Sequence, residues 1–345
     1  MKKFNIKTKA SSIFILIFFT FLLISFLFFL NLNNLSKYDV VSDTYDVQNN
    51  KDSIPFTEVS GISNILLLSS DARFYDTTSR ADSIMILTID NVNKKLKITS
   101  LLRDMLVNID NHGEEKLNHS FAYGGPLKTI ETIENNFGIK INNYIIVDFN
   151  SFRKIIDTIG GITVNINDYE VSELNKFILD SGGNTSDLIL SSGEYTLNGY
   201  QALSYARIRK VGDGEYERTT RQRNLINLIL AKIKTLSPFK TVQLVKDLFP
   251  YIKTNINITS AINYFLTTLT IYSKNSSIEQ LQIPINSISK ERLYPSKGWV
   301  LLFDKKETSK ALKDFIFNDK LYTPSTHNMQ SIIKKYDLKY GNKKR

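Results

Sequence analysis

The sequence predicts an α/β fold, a central sheet covered by helices on both faces, set behind one N-terminal transmembrane helix. Three observations carry that reading. An apolar run from Ile13 to Leu30 is broken only by Thr20 and Ser25. Short apolar runs bounded by polar turns recur from Asn64 onward, as buried strands require. Between them lie stretches with apolar residues at helical spacing, and strands alternating with helices define a layered α/β architecture.

The first run reaches roughly 27 Å at 1.5 Å per residue, about the thickness of a bilayer's hydrocarbon. Lys2, Lys3, Lys7 and Lys9 precede it, while Asp39, Asp43, Asp46 and Asp52 follow. The positive-inside bias therefore predicts a cytoplasmic N-terminus (1–12), an anchor in the cell membrane (13–30) and an extracytoplasmic remainder. Asn31-Leu32-Asn33-Asn34 after the run does not resemble the small-residue site of a cleaved signal peptide. Residues 31–60, rich in Asn, Asp, Ser and Lys, read as a stalk. A domain over 61–305 and a C-terminal extension over 306–345, ending in a basic tail, complete the expected organisation.

The 345 residues contain no cysteine, so the exported domain holds no disulfide and rests on its core. Lys and Arg number 44 against 34 Asp and Glu, a net charge of +10. On the outer side of a membrane that excess faces lipid phosphates and anionic wall polymers, and nucleic acid is not an expected partner.

In order, Ile65 to Leu68, Ile84 to Leu87, Leu96 to Leu102 and Tyr144 to Phe149 read as strands. Pro126 after Gly124-Gly125 opens a helix whose Leu127, Ile130, Ile133 and Phe137 repeat until Gly138, with proline in the first turn and glycine past the end. A second helix runs from Ser151 to Ile159 and stops at Gly160-Gly161, after which Ile162, Val164 and Ile166 alternate as a strand. Asn198 is a plausible N-cap for the segment from Gly199 to Ala206. A third helix covers Tyr216 to Leu236, with Leu225, Ile229 and Ile233 at four-residue spacing. Arg218, Arg221 and Arg223 in its first turns oppose the helix dipole, so an anion or nearby carboxylate must offset them.

Chemistry-bearing residues collect at strand ends and helix starts. Asp71 closely follows one strand, Asp82 precedes the next, and Arg103-Asp104 follow a third. Carboxylates at adjoining strand ends can hold a hard cation such as magnesium together with phosphate oxygens, although aspartates after strands also serve simply as turn caps. Arg207 and Arg209 point to one face if that chain is extended, and Arg218, Arg221 and Gln222 share one side of the following helix. Planar guanidinium forks suit phosphate oxygens, and several around one point imply a multiply charged ligand such as pyrophosphate. The three histidines offer few bases; His112 and His119 lie in what reads as a polar loop and are assigned no catalytic role.

Seven segments in series resemble the LytR-CpsA-Psr family of wall glycopolymer ligases. They are NILLLSSDAR (64–73), SRADSIMILTID (79–90), SLLRDM (100–105), KLNHSFAYGG (116–125), VDFNSFRKIIDTIGGITVNI (147–166), LNGYQALSYARIRK (197–210) and ERTTRQR (217–223). Ser69-Ser70-Asp71 stands where the family usually has Gly-Ser-Asp, and Leu102 where it commonly has proline. The resemblance implies a mixed-sheet sandwich with a deep apolar pocket for a prenyl chain. It implies transfer of a glycopolymer, such as teichoic acid or capsule, from an undecaprenyl-pyrophosphate carrier to peptidoglycan, with undecaprenyl phosphate released. By matching position it makes Asp71 and Asp82 the aspartates that hold magnesium, or manganese in its place. Arg80, Arg103, Lys116, Arg207, Arg209, Arg218, Arg221 and Gln222 become the pyrophosphate set. Asp82, Arg103 and Asp104 form the expected catalytic group; apart from the resemblance, Asp82 and Asp104 are both candidates for the group that takes the hydroxyl proton, and the choice between them is open. A pyrophosphatase and a non-enzymatic, membrane-tethered envelope regulator are the alternative readings.

Overall fold

The computed structural model describes residues 56–70, 80–322 and 329–341. The expected anchor at 13–30, Asp71 and the last basic residues of the tail lie outside the described residues. Among the described residues no helix is long and apolar enough to cross a membrane.

The central sheet is mixed and six-stranded. In chain order its strands are β1 (Ile62–Ser70), β2 (Ala81–Asp90), β3 (Lys95–Leu101), β6 (Asn143–Asp148), β9 (Lys253–Thr254) and β10 (Glu279–Ile283). Across the sheet the order is β10-β3-β2-β1-β6-β9. β1 and β2 are antiparallel, as are β2 and β3, whereas β6 runs parallel to β1 and β10 parallel to β3. That topology brings the end of β1, the start of β2 and the ends of β3, β6 and β10 to one edge of the sheet.

Side chains of a strand alternate between faces, and the apolar runs here feed two cores. Leu66, Leu68, Ile84 and Ile86 pack beneath α1 (His119–Phe137) and α8 (Lys305–Phe317), through Ile133, Phe137, Leu312 and Phe315. Ile65, Met85, Ile89 and Ile98 face the other way, onto Leu230 of α5 (Glu215–Lys234) and Ile271 and Tyr272 of α7 (Ile258–Asn275). A third core joins α2 (Phe149–Thr158), α3 (Asp168–Asp180), α4 (Gly199–Arg207), α5 and α6 (Pro238–Leu248) around β7 (Ile162–Ile166) and β8 (Gly193–Leu197).

The helix expected from Pro126 starts seven residues earlier, at His119, so His119 is helical rather than in a loop. Gly124 (φ −167°, ψ 30°) and Gly125 (φ 61°, ψ −150°) kink it, and Pro126 opens the second segment where a missing N–H matters least. Gly138 closes it in the left-handed conformation, at φ 66°. Phe149, expected as the end of a strand, starts α2 because the Asp148 carboxylate accepts the Ser151 N–H at 2.8 Å and caps the helix.

Two features of the C-terminal region depart from expectation. α8 buries Ala311, Leu312, Phe315 and Ile316, so it belongs to the domain rather than to the extension expected from residue 306. α9 (Gln330–Tyr340) is docked on the hairpin of β11 (Ser289–Tyr294) and β12 (Gly298–Phe303). Lys339, Tyr336 and Tyr340 all reach Glu114 on β5 (Gly113–Lys116), which pairs with β4 (Leu106–Ile109).

Lys97 is fully buried, with its ammonium 3.4 Å from Asp90, itself fully buried, and 3.1 Å from the Ile316 carbonyl near the end of α8. Asp90 also accepts the N–H groups of Val92 and Asn93 in the β2–β3 turn. Removing one partner of a buried pair leaves an uncompensated charge, at about 3 to 5 kcal/mol. Lys97→Ala is therefore expected to lower unfolding stability by about that much in urea denaturation; a loss below about 1 kcal/mol would mean that the pair contributes no more than a surface one.

Candidate functional site

At the common sheet edge a cavity of about 500 Å³ opens between the sheet and α2 to α5. Its inner walls are apolar, from Leu67 and Met85 on the sheet, Phe152 and Ile155 on α2, Phe177 on α3 and Leu225, Ile226 and Ile229 on α5. Its polar lining includes Asp82, Ser83, Arg103, Arg207, Arg209, Arg218 and Gln222. Four arginines thus face one aspartate among the charged lining residues.

The arginines come from three elements that the fold brings together. Arg103 lies in the turn after β3 and donates to Asp82 Oδ1 at 2.8 Å through Nη1. Arg218, on the first turns of α5, is 5% exposed and donates to the Asp82 backbone carbonyl at 3.0 Å. Burial, countered by Glu215 and reinforced by the Arg103 and Arg209 charges, holds its guanidinium below the usual arginine value. Glu215 joins the two, paired with Arg218 and 3.6 Å from Arg103 Nε. It is a residue that the sequence reading missed, although it sits three positions before Arg218, a spacing at which helical side chains meet.

Among the described residues, Arg103 Nε and Arg218 Nε are buried without a hydrogen-bond partner, although Arg103 Nε lies 3.6 and 3.7 Å from carboxylate oxygens of Glu215 and Asp104. A buried N–H without an acceptor costs about 1 to 3 kcal/mol, more for a charged group, so both are suited to an incoming anion.

Arg207 and Arg209 are not on an extended segment, as the expectation of one face required. Arg207 is the last residue of α4; it donates to Ser181 Oγ at 2.8 Å and lies over the rings of Phe177 and Phe149, at 4.6 and 5.2 Å. Arg209 follows Ile208, is exposed, and reaches the cavity mouth. Gln222 is fixed on both sides, accepting from Ser83 Oγ at 3.0 Å and donating to the Ala206 carbonyl at 3.2 Å.

Arg80, Asp104, His112, Lys116, His119 and Arg221, all singled out from sequence, do not line the cavity. Arg221 is 3% exposed and held by Glu170, Glu217 and the Ile208 carbonyl. Asp104 is bound by Lys116 at 2.9 Å, one residue beyond Arg103. Arg80 sits exposed at the start of β2 and, after burial, is the main charge that depresses the His119 pKa. His119 itself pairs with Glu115 at 3.3 Å, and His112 stacks on Tyr123. Of the α5 arginines, Arg218 finds its offsetting carboxylate in Glu215 and Arg221 in Glu217 and Glu170, whereas buried Arg223 donates to the neutral Gln280, Ser100 and Thr220 side chains.

Among the described residues no group of three or more His, Asp or Glu side chains could hold a metal ion, and Asp82 is the one carboxylate among those that line the cavity. Its side chain is one-third exposed at the cavity wall, and only Oδ1 accepts a hydrogen bond among the described residues. Asp71, its expected partner, lies outside them.

Fold and site together define a class: an α/β domain that can receive an amphiphile, tail against the apolar walls and anionic head among the arginines. The LytR_cpsA_psr family model matches residues 28–314. The regulatory protein MsrR of Staphylococcus aureus (strain Mu50) is 30% identical over 263 residues, 74% of this chain and 75% of that protein. The polyisoprenyl-teichoic acid–peptidoglycan teichoic acid transferase TagT of Bacillus subtilis is likewise 30% identical over 263 residues, 74% of this chain and 78% of its own. The crystal structure of B. subtilis TagT superposes with a TM-score of 0.61 at 26% identity, covering 80% of this chain and 99% of that one. The chain belongs to the LytR_cpsA_psr family, and it is an enzyme of the transferase class.

If the unsatisfied guanidinium donors mark the anion site, Arg103→Ala and Arg218→Ala should each weaken binding of geranylgeranyl pyrophosphate by about 1.5 to 3 kcal/mol, the range for hydrogen bonds to charged groups. Arg103→Lys should recover little, because lysine lacks the fork. Titration calorimetry on the three variants reads this out, and wild-type affinity in Arg103→Ala would exclude that arginine from the site.

Proposed function

We propose that the protein transfers a glycopolymer from an undecaprenyl-pyrophosphate carrier to peptidoglycan, forming a phosphodiester and releasing undecaprenyl phosphate. The observation that carries this reading is the union of one apolar cavity with an arginine cluster that holds two N–H donors without a hydrogen-bond partner among the described residues. A prenyl chain fits the first and a pyrophosphate the second. The family membership and the name of TagT, a polyisoprenyl-teichoic acid transferase, support the same substrate class.

In the proposed reaction a peptidoglycan hydroxyl oxygen attacks the phosphorus that carries the glycopolymer. The bond from that phosphorus to the bridging oxygen breaks, and the electron pair leaves with undecaprenyl phosphate. Arg103 and Arg218 bind the pyrophosphate and meet the charge that grows on the leaving group, from positions fixed before the reaction begins. Arg207 and Arg209 hold the same group from the α4 side, and Gln222 fixes the wall between them. Asp82 on the cavity wall and Asp104, one-third exposed beside Arg103 but outside the cavity lining, are the carboxylates proposed to accept the hydroxyl proton. Asp82 with Asp71 would hold magnesium, which when bound neutralises pyrophosphate charge and polarises its phosphorus–oxygen bonds.

The same proposal sets the domain outside the cell membrane, tethered by residues 13–30. A reporter fused after Arg345 should be active only if it is functional outside the cytoplasm.

The decisive assay supplies a prenyl-pyrophosphate-linked glycopolymer with and without peptidoglycan. Polymer bound to peptidoglycan through a phosphodiester is the expected product, and Arg103→Ala should lower its rate by about 10². Release to water alone, unaffected by the acceptor, would replace the reading with a pyrophosphatase. Tight binding without turnover would make the protein a binding regulator.

A further inference from the structure

Arg207 and Arg209 reach the cavity from the end of α4 and the turn that follows, residues 208–214, and that turn is tied to its surroundings by ionic groups on two helices. Arg221 of α5 donates through Nη1 to the Ile208 carbonyl at 3.1 Å, through Nε to Glu170 of α3 at 2.6 Å and through Nη2 to Glu217 at 2.6 Å. Glu217 in turn accepts the Asp213 N–H at 2.9 Å, and Glu173 of α3 accepts the Lys210 N–H at 2.8 Å. Three backbone groups of the turn are therefore held by two carboxylates and one guanidinium, which is itself paired with a third carboxylate, Glu170. Glu170 and Arg221 are 1% and 3% exposed, so this pairing has little competition from water.

Gly212 shows how closely the turn is fitted. It adopts φ 61°, and a Cβ there would overlap the Glu217 carboxylate. Glycine is needed both for the backbone conformation and for the approach of Glu217.

All three nitrogens of the Arg221 guanidinium are already bonded to protein oxygens, and none lines the cavity. The geometry points to Arg221 as a positioning residue: with Glu170 and Glu217 it fixes the 208–214 turn, and thereby sets Arg207 and Arg209 against the anionic group without touching it. The inference rests on the cavity binding a prenyl pyrophosphate, as proposed above.

The test uses the full-length chain in detergent, geranylgeranyl pyrophosphate as the probe in titration calorimetry, and timed trypsin cleavage after Arg209 and Lys210 as a readout of turn order without ligand. Arg221→Ala should weaken probe binding about tenfold and speed cleavage at the turn. In an Arg207→Ala, Arg209→Ala background the same change should cost almost no further affinity, because its effect passes through those two residues. Gly212→Ala keeps Arg221 and Glu170 but displaces Glu217, and should reproduce both effects if Arg221→Ala fails to fold. Weakened binding with unchanged cleavage would overturn the inference in favour of direct contact. Faster cleavage with unchanged binding would overturn it too, leaving Arg221 a purely structural residue. A wild-type chain that does not bind the probe would instead sink the functional reading on which the inference depends.

Discussion

Placing a guanidinium out of water beside an apolar cavity is the demand that organises the rest of this structure. An unpaired buried charge costs several kcal/mol, and four arginines at one cavity repel one another as well. The protein offsets this with few carboxylates. Asp82 meets Arg103, Glu215 meets Arg218, and the Asp82 backbone carbonyl takes one more donor. Among the described residues the balance stops short of neutrality, and two Nε–H groups have no hydrogen-bond acceptor. Under the proposed function, a ligand bearing two or more negative charges completes what the protein leaves open, and the apolar walls take its hydrocarbon end.

The sheet topology makes that concentration of charge possible. Because β1 and β2 run antiparallel while β6 follows β1, the turn after β3, the start of β2 and the start of α2 all meet at one edge. α5 then crosses that edge with its charged first turns at the site and its apolar later turns, Leu225 to Leu230, forming cavity wall and core. One helix thus supplies both part of the charged end and part of the apolar wall of the cavity, which fixes the distance between them.

Much of this frame was legible in the sequence. Runs such as Ile65 to Leu68 signalled strands buried on both faces because their residues feed two cores, and Asn198 marked a helix start through backbone chemistry that is local in the chain, whereas Pro126 marks only the second segment of a helix that begins at His119. The fate of Arg221 was not legible. At 3.6 residues per turn it lies about 100° around the helix from Gln222, with Arg218 between them, so spacing alone allowed all three one side. What separates them is Glu170, fifty-one positions earlier on α3, buried by packing that no local pattern announces. Its own neighbourhood, Asn167 to Glu170, reads simply as a capping box, which it also forms. Docking of α9 was hidden for a similar reason: a lysine-rich tail looks solvated until Ile333, Tyr336 and Tyr340 find a partner surface on a distant hairpin.

The central claim is that one cavity binds a prenyl chain and a pyrophosphate at opposite ends, with the phosphates on Arg103 and Arg218. A crystal structure of the described domain grown with geranylgeranyl pyrophosphate tests it directly. The account requires the chain between α5 and the sheet, against Phe152 and Ile229, and phosphate oxygens within hydrogen-bonding distance of Arg103 Nε and Arg218 Nε. Diphosphate density away from both arginines, or a chain lying outside the cavity, would contradict it.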